Sequence, residues 1–135
     1  MATVRQQINV AVAPRAVWRA FTTAEGLSSW WVDDARVDAR EGGRVVVRTE
    51  DDEGEQVEER GIFHEYRPAR RLAIAWDPGA SVALASTRLE ITLARDGKET
   101  RVVLIQSGVK DELLEESEKT WRQALRGLRD ALEAE

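Results

Sequence analysis

The chain contains no cysteine, which excludes disulfides, thiolate nucleophiles and cysteine-ligated metals together. Its one histidine, His64, leaves little material for a transition-metal site and reads as a solvated or simply hydrogen-bonded side chain. No Ser-His-Asp array, phosphate-binding glycine loop or dinucleotide fingerprint is present. Apolar runs are all too short to span a bilayer. The first residues, Met1-Ala-Thr-Val-Arg-Gln-Gln, lack the apolar stretch of a secretory signal. A cytoplasmic address without membrane insertion is the expectation. A concentrated basic face is also missing. Net charge is −5 with the signs interspersed, whereas nucleic-acid binding draws most of its affinity from massed positive charge. The densest basic group, Arg67 with Arg70 and Arg71, flanks Pro68 and reads as a solvated turn. The acidic run Glu50-Asp51-Asp52-Glu53 reads as a loop tip rather than a hard-cation site. No nucleic acid, metal or cofactor is expected.

What the chain does have is patterning. Its 135 residues, 42% of them hydrophobic, suffice for one domain over residues 1–135 with a core of its own. Val4, Ile8, Val10 and Val12 alternate with polar residues over 3–12, as on a half-buried strand. Pro14 stands where a helix can begin without losing a needed hydrogen bond, and Val17, Trp18 and Phe21 share a face of that helix. Leu27, Trp30 and Trp31 predict a second short helix after Gly26.

From Val32 to Ser107 the period becomes two. Strands are predicted over 33–39, 44–50, 55–66, 71–77, 86–95 and 99–107. Turn chemistry separates them at Glu41-Gly42-Gly43, Asp52-Glu53-Gly54, Arg67-Pro68-Ala69, Asp77-Pro78-Gly79 and Arg95-Asp96-Gly97. Such short connections imply antiparallel neighbours. One face carries Val45, Val47, Leu72, Ile74 and Trp76, continued by Leu89, Ile91, Leu93, Val102 and Leu104. The other carries Arg44, Arg48, Arg88, Glu90 and Arg101.

The clearest helix is 111–133, with Asp111 as its expected N-cap. Its stripe of Leu114, Ser117, Trp121, Leu125, Leu128 and Leu132 faces inward. Glu115–Lys119, Glu118–Arg122 and Arg129–Glu133 are spaced as exposed ion pairs. The expected architecture is therefore α+β, in the order β-α-α-β6-α. A curved antiparallel sheet of about seven strands wraps the long C-terminal helix, so that each apolar surface covers the other.

Several motifs then resemble one family together. They are Ala13-Pro14-Arg15-Ala16-Val17-Trp18-Arg19-Ala20-Phe21-Thr22, the pair Trp30-Trp31 after Leu27-Ser28-Ser29, and Asp38-Ala39-Arg40-Glu41-Gly42-Gly43. Gly61 through Pro68, Arg71-Leu72 and Trp76 follow in order, then Thr100-x-Val102-x-Leu104 to Ser107-Gly108, then Trp121 with Leu125 and Leu128. The set is similar to the homologues of the activator of the heat-shock protein 90 ATPase, within the SRPBCC superfamily. The resemblance implies the helix-grip fold shared with START domains and the birch-pollen allergen. It also implies two functional directions: holding a small apolar ligand, or a protein interaction with a heat-shock chaperone.

The five tryptophans give the first direction its residues. Trp31, Trp76 and Trp121 come from different elements and converge on the inner side, where large rings either fill a core or wall a cavity. If alternation holds from Val57, then Glu59, Gly61, Phe63 and Glu65 point inward, with Gln106 beside Leu104 and Ser117 interrupting the helical stripe. A bulge at Gly61 would reverse that phase. The expected ligand-binding set is Trp31, Val47, Phe63, Glu65, Trp76, Gln106, Ser117 and Trp121, between helix and sheet. A non-enzymatic role is favoured. An enzyme would need Glu65 buried, with its pKa raised into a useful range.

Overall fold

Strands form wherever branched apolar residues alternate with charged ones, because an extended backbone sends successive side chains to opposite faces. In the computed structural model, which describes residues 1–78 and 84–134, β1 (Ala2–Val10) is followed by α1 (Pro14–Thr22) and α2 (Ala24–Ser28). Then come β2 (Asp34–Val37), β3 (Arg44–Glu50), β4 (Gln56–Arg67), β5 (Arg71–Trp76), β6 (Arg88–Asp96) and β7 (Glu99–Val109). A single 3-10 turn (Asp111–Leu113) leads into α3 (Leu114–Glu133). The seven strands make one sheet, ordered β1-β7-β6-β5-β4-β3-β2, and every neighbouring pair is antiparallel.

The sheet curls around α3 as the two apolar surfaces require. Val45, Val47, Leu72, Ile74, Leu89, Ile91, Val102 and Leu104 are buried from the sheet side, and Trp121, Leu125 and Leu128 from the helix side. Polar contacts tie α3 to the edge strand and to the chain beyond it. Gln6 Nε2 donates to the Glu118 carbonyl (3.3 Å) and the Ala11 amide to the Glu133 carboxylate (2.7 Å). Glu133 is thus engaged far from Arg129. Among the described residues, none of the three expected i, i+4 ion pairs on α3 closes, which is ordinary for long, solvated side chains. The helix is also not capped as expected. Asp111 lies inside the 3-10 turn and pairs with the N-terminal amine (3.3 Å), so α3 starts after Leu113 without a side-chain cap.

Two further expectations are corrected near the first helices and at the strand ends. The second helix stops at Ser28, and Trp30 and Trp31 lie in the turn after it. Trp30 is drawn aside because its indole N–H donates to the Ala20 carbonyl (2.9 Å) while its ring meets Phe21 edge-on (5.1 Å). The predicted strand 33–39 shortens to Asp34–Val37 and 86–95 begins at Arg88, since Ser86 turns with φ 61°. Gly79, last of the Asp77-Pro78-Gly79 turn, lies outside the described residues.

The largest correction concerns β4. Glu59, Gly61 and Phe63 face inward as expected. Phe63 then opposes Ile74 while Glu65 opposes Ala73, so the register slips between them and His64 is the extra residue of a β-bulge. Every side chain after it changes face. Tyr66 turns inward, edge-on to Trp18 (5.2 Å) and Phe63 (5.3 Å). Glu65 turns outward into the wet face. Gly61, where a bulge was conceivable, has a different duty. A Cβ there would lie 2.7 Å from Ile74 Cγ2, 2.9 Å from the Ala75 carbonyl and 2.9 Å from the Trp76 ring. The missing side chain makes room for the neighbouring strand's indole. Gly61→Ala is therefore expected to cost about 1–3 kcal/mol, read as a lowered urea midpoint with an unchanged slope.

Outside, Glu65 accepts from Arg71 Nε (2.8 Å) and Arg67 Nε (3.1 Å). Glu90 accepts from Arg71 Nη2 (3.1 Å) and Arg88 Nε (3.0 Å), and Arg88 Nη1 donates to His64 Nδ1 (2.8 Å). The Arg71 hydrogen bond holds the Glu65 carboxyl below its ordinary pKa, and Arg60 with Arg48 does the same to Glu58. A lowered carboxyl pKa means that the unfolded chain takes up protons first as the pH drops. The resulting stability is complete above the ordinary carboxylate range and fades as the pH falls through the lowered values. Glu65→Gln should flatten that acid limb in urea midpoints taken across acid pH. An unchanged limb would show that the pairs contribute nothing.

Candidate functional site

A cavity of about 380 Å³ opens between the first turns of α3 and the inner face of the sheet near the β3–β4 hairpin. Each wall has its own origin. Period two on β3 delivers Val47 and Thr49, and the same period on β4 delivers Val57 and Glu59, whose strands pair Val47 with Glu59 and Thr49 with Val57. From the helix come Ser117, Thr120 and Trp121, spaced so that one helical face presents all of them. Trp31 closes a side from the turn after α2, with Val32 next to it.

The aromatic walls touch one another rather than collapsing into the space. The Trp31 and Trp121 ring centroids are 5.4 Å apart and tilted by 42°. Trp31 also meets Trp76 edge-on at 6.0 Å and stacks on Trp30 at 5.8 Å. Trp121 is held by a buried relay. Its Nε1–H donates to Gln106 Oε1 (2.6 Å), Gln106 Nε2 donates to Thr87 Oγ1 (3.1 Å), and the Thr87 hydroxyl donates to the Leu84 carbonyl (2.7 Å). Gln106 is 1% exposed, so its amide works in a site where an unmade hydrogen bond is costly. Among the described residues, Trp76 Nε1 is the one buried side-chain polar atom without a hydrogen-bond partner.

The expected residues therefore separate into three groups. Trp31, Val47, Gln106, Ser117 and Trp121 line the cavity together. Phe63 and Trp76 are buried in the adjoining core, and Trp76 reaches the site only through Trp31. Glu65 is absent from it because the His64 bulge sends its carboxylate to the opposite face. A catalytic reading that needs Glu65 buried with a raised pKa meets a carboxylate paired outside with a lowered one.

Lining residues outside the expected set include Thr49, Val57, Leu84, Glu116 and Thr120. Thr49 continues the Val45, Val47 alternation and Thr120 stands one turn from Ser117, so both were within reach of periodicity. Leu84 precedes β6 in irregular chain, where no period points anywhere. Among the described residues, no group of three potential ligands is arranged for a metal ion, and no helix is long and apolar enough to cross a membrane. Gln106→Leu keeps the volume but strands the Trp121 N–H. We expect a loss of about 1–3 kcal/mol in chemical denaturation, and an unchanged midpoint would remove the relay from the account of the site.

Comparisons with known proteins place this geometry. The family model described as Activator of Hsp90 ATPase homolog 1-like protein matches residues 11–133. No curated protein matches the chain. The Aha1 dimer of Colwellia psychrerythraea, solved in solution, is 20% identical, with a TM-score of 0.82 over 98% of this chain and 97% of that one. A protein of Nitrosomonas europaea is 23% identical, with a TM-score of 0.82 over 98% and 94%. CalU16 of Micromonospora echinospora is 20% identical, with a TM-score of 0.74 over 98% and 84%. At such identities the likeness concerns the fold.

Proposed function

The chain belongs to the family of Activator of Hsp90 ATPase homolog 1-like proteins, with the helix-grip fold of the SRPBCC superfamily, and we propose that it binds a small, mainly apolar molecule between α3 and the sheet. The observation that supports this reading is the cavity walled by Trp31 and Trp121. Its volume of about 380 Å³ falls in the range of small-molecule sites, and such sites combine apolar walls with a few fixed polar groups. Val47, Val57 and Leu84 supply the apolar area, while Glu59, Gln106 and Ser117 supply the polar points. Phe63 and Trp76 lie in the core behind the wall, and Trp76 backs it through its contact with Trp31.

Family membership favours a second reading, a chaperone-associated interaction module. That reading draws no support from charge on the outer face. Arg48, Arg71 and Arg88 all pair with carboxylates of their own sheet.

The ligand reading is tested by thermal shift with apolar metabolites, and by one variant. A ligand at a hundred times its dissociation constant adds about 2.7 kcal/mol to stability. Ser117→Leu places a branched side chain in the cavity and should abolish that shift while the unliganded protein stays folded. A shift that survives in Ser117→Leu, or no shift with any apolar compound, would end this reading.

A further inference from the structure

One hydroxyl of the cavity lining is left over from the fold. Ser117 interrupts the apolar stripe of α3, is 8% exposed, and lines the space one helical turn before Trp121. Other helical hydroxyls of this chain turn back on their own helix. Thr22 Oγ1 donates to the Trp18 carbonyl (2.8 Å) and Ser28 Oγ to the Ala24 carbonyl (2.9 Å). Ser117 Oγ makes no such bond to Leu113 and, among the described residues, has no hydrogen-bond partner. The one side-chain polar atom among them that is both unpartnered and sealed from solvent is Trp76 Nε1, so the Ser117 oxygen opens on the cavity. The other buried polar residues of the lining, Glu59 and Gln106, are already engaged within the chain. Alanine would fill the same place and suits a helix better, so this oxygen adds nothing to the fold.

Taking the reading of this cavity as a ligand site as its premise, we infer that the ligand is a neutral carbonyl compound, a ketone or ester on an apolar body, whose oxygen accepts from Ser117 Oγ. In the unliganded protein, water can accept from the Ser117 O–H. A ligand that displaces this water must return an acceptor or leave the bond unmade. A pure hydrocarbon returns none. A carbonyl oxygen returns one and carries no donor that needs a partner of its own. An alcohol also returns an acceptor. Two hydroxyls joined by one hydrogen bond, however, leave the ligand's own proton to find a second acceptor. A carboxylate gives up the hydration of a full charge, which a single neutral hydroxyl does not offset. The apolar body has its place beside this oxygen, between the Trp31 and Trp121 rings, 5.4 Å apart, and Val47.

The test compares benzylacetone, the alcohol made by reducing its carbonyl, and hydrocinnamate, which share an apolar body and differ in the head group. Dissociation constants are read from the tryptophan indole N–H signals in NMR titrations of the unmodified protein, Ser117→Ala and Thr120→Ala. We expect the ketone to bind about threefold or more tighter than the alcohol, with the acid weakest. Ser117→Ala should weaken the ketone about fivefold to tenfold, yet its urea midpoint without ligand should equal or exceed that of the unmodified protein. Thr120→Ala removes a hydroxyl from an exposed residue of the same lining and should change the ketone by no more than about twofold. An acid or alcohol that binds as tightly as the ketone overturns the inference and leaves the ligand site standing. Ketone binding that is unchanged in Ser117→Ala does the same, and so does a lowered midpoint, which would assign the hydroxyl to the fold. Failure of all three compounds to bind also overturns the inference, and the site reading falls with it only if no apolar compound shifts the melting transition. The comparison on unmodified protein decides the matter even if Ser117→Ala does not fold.

Discussion

A sheet with one apolar face and a helix with one apolar stripe are both unstable in water until they meet, and their meeting distance is what leaves this chain hollow. Hydrophobic burial alone would draw α3 down until the space closed, because contact area is what that force rewards. The relay from Trp121 through Gln106 and Thr87 to the Leu84 carbonyl opposes such a collapse. It fixes the Trp121 indole at hydrogen-bonding distance from β7, with the ring spanning the gap. Shortening the gap would strain bonds between buried groups, which are costly to leave unmade. Farther along α3, Leu125 and Leu128 have no such spacer and are buried in the ordinary way. The helix is packed at one end and propped at the other.

The two faces of the sheet divide the charge between them. Outside, arginines of β3 and β5 find carboxylates on adjacent strands and Arg88 of β6 finds Glu90 of its own strand, so opposite charges cancel within a few ångströms. Inside, the charged residues that line the cavity among the described ones are Glu59 and Glu116. Exposed pairs contribute little each, and their greater effect is spatial. They keep the guanidinium groups occupied on the side away from the cavity.

Much of the architecture was legible in the linear pattern, and the reasons are specific. Val45 with Val47, and Leu89 with Ile91 and Leu93, identify their face because one side of the sheet is wet and the other dry. Ser117 to Leu128 identifies α3 because the stripe repeats with the helical period. Gln106 and Ser117 were readable as polar interruptions of apolar faces, and both line the cavity. Glu65 was not readable. Nothing in Phe63-His64-Glu65 marks an inserted residue, and the glycine that invited suspicion is needed for packing on Trp76. Asp111 resembles a cap in composition but is drawn away by the N-terminal amine. Leu84 belongs to chain without periodicity, where position follows from tertiary contacts alone.

The bulge at His64 gives β4 something like a reading frame. Upstream of it, odd-numbered positions belong to the interior; downstream, even-numbered ones do. Flattening the bulge would exchange Tyr66 for Glu65 at the core and expose an aromatic ring among arginines, though no amino acid had been replaced. A strand one residue shorter at His64 would keep Phe63, Glu65 and Tyr66 on these faces by simple alternation and would need no bulge. The extra residue and the bulge are therefore a single feature, and the end of the strand keeps its sense only while both are present or both are gone.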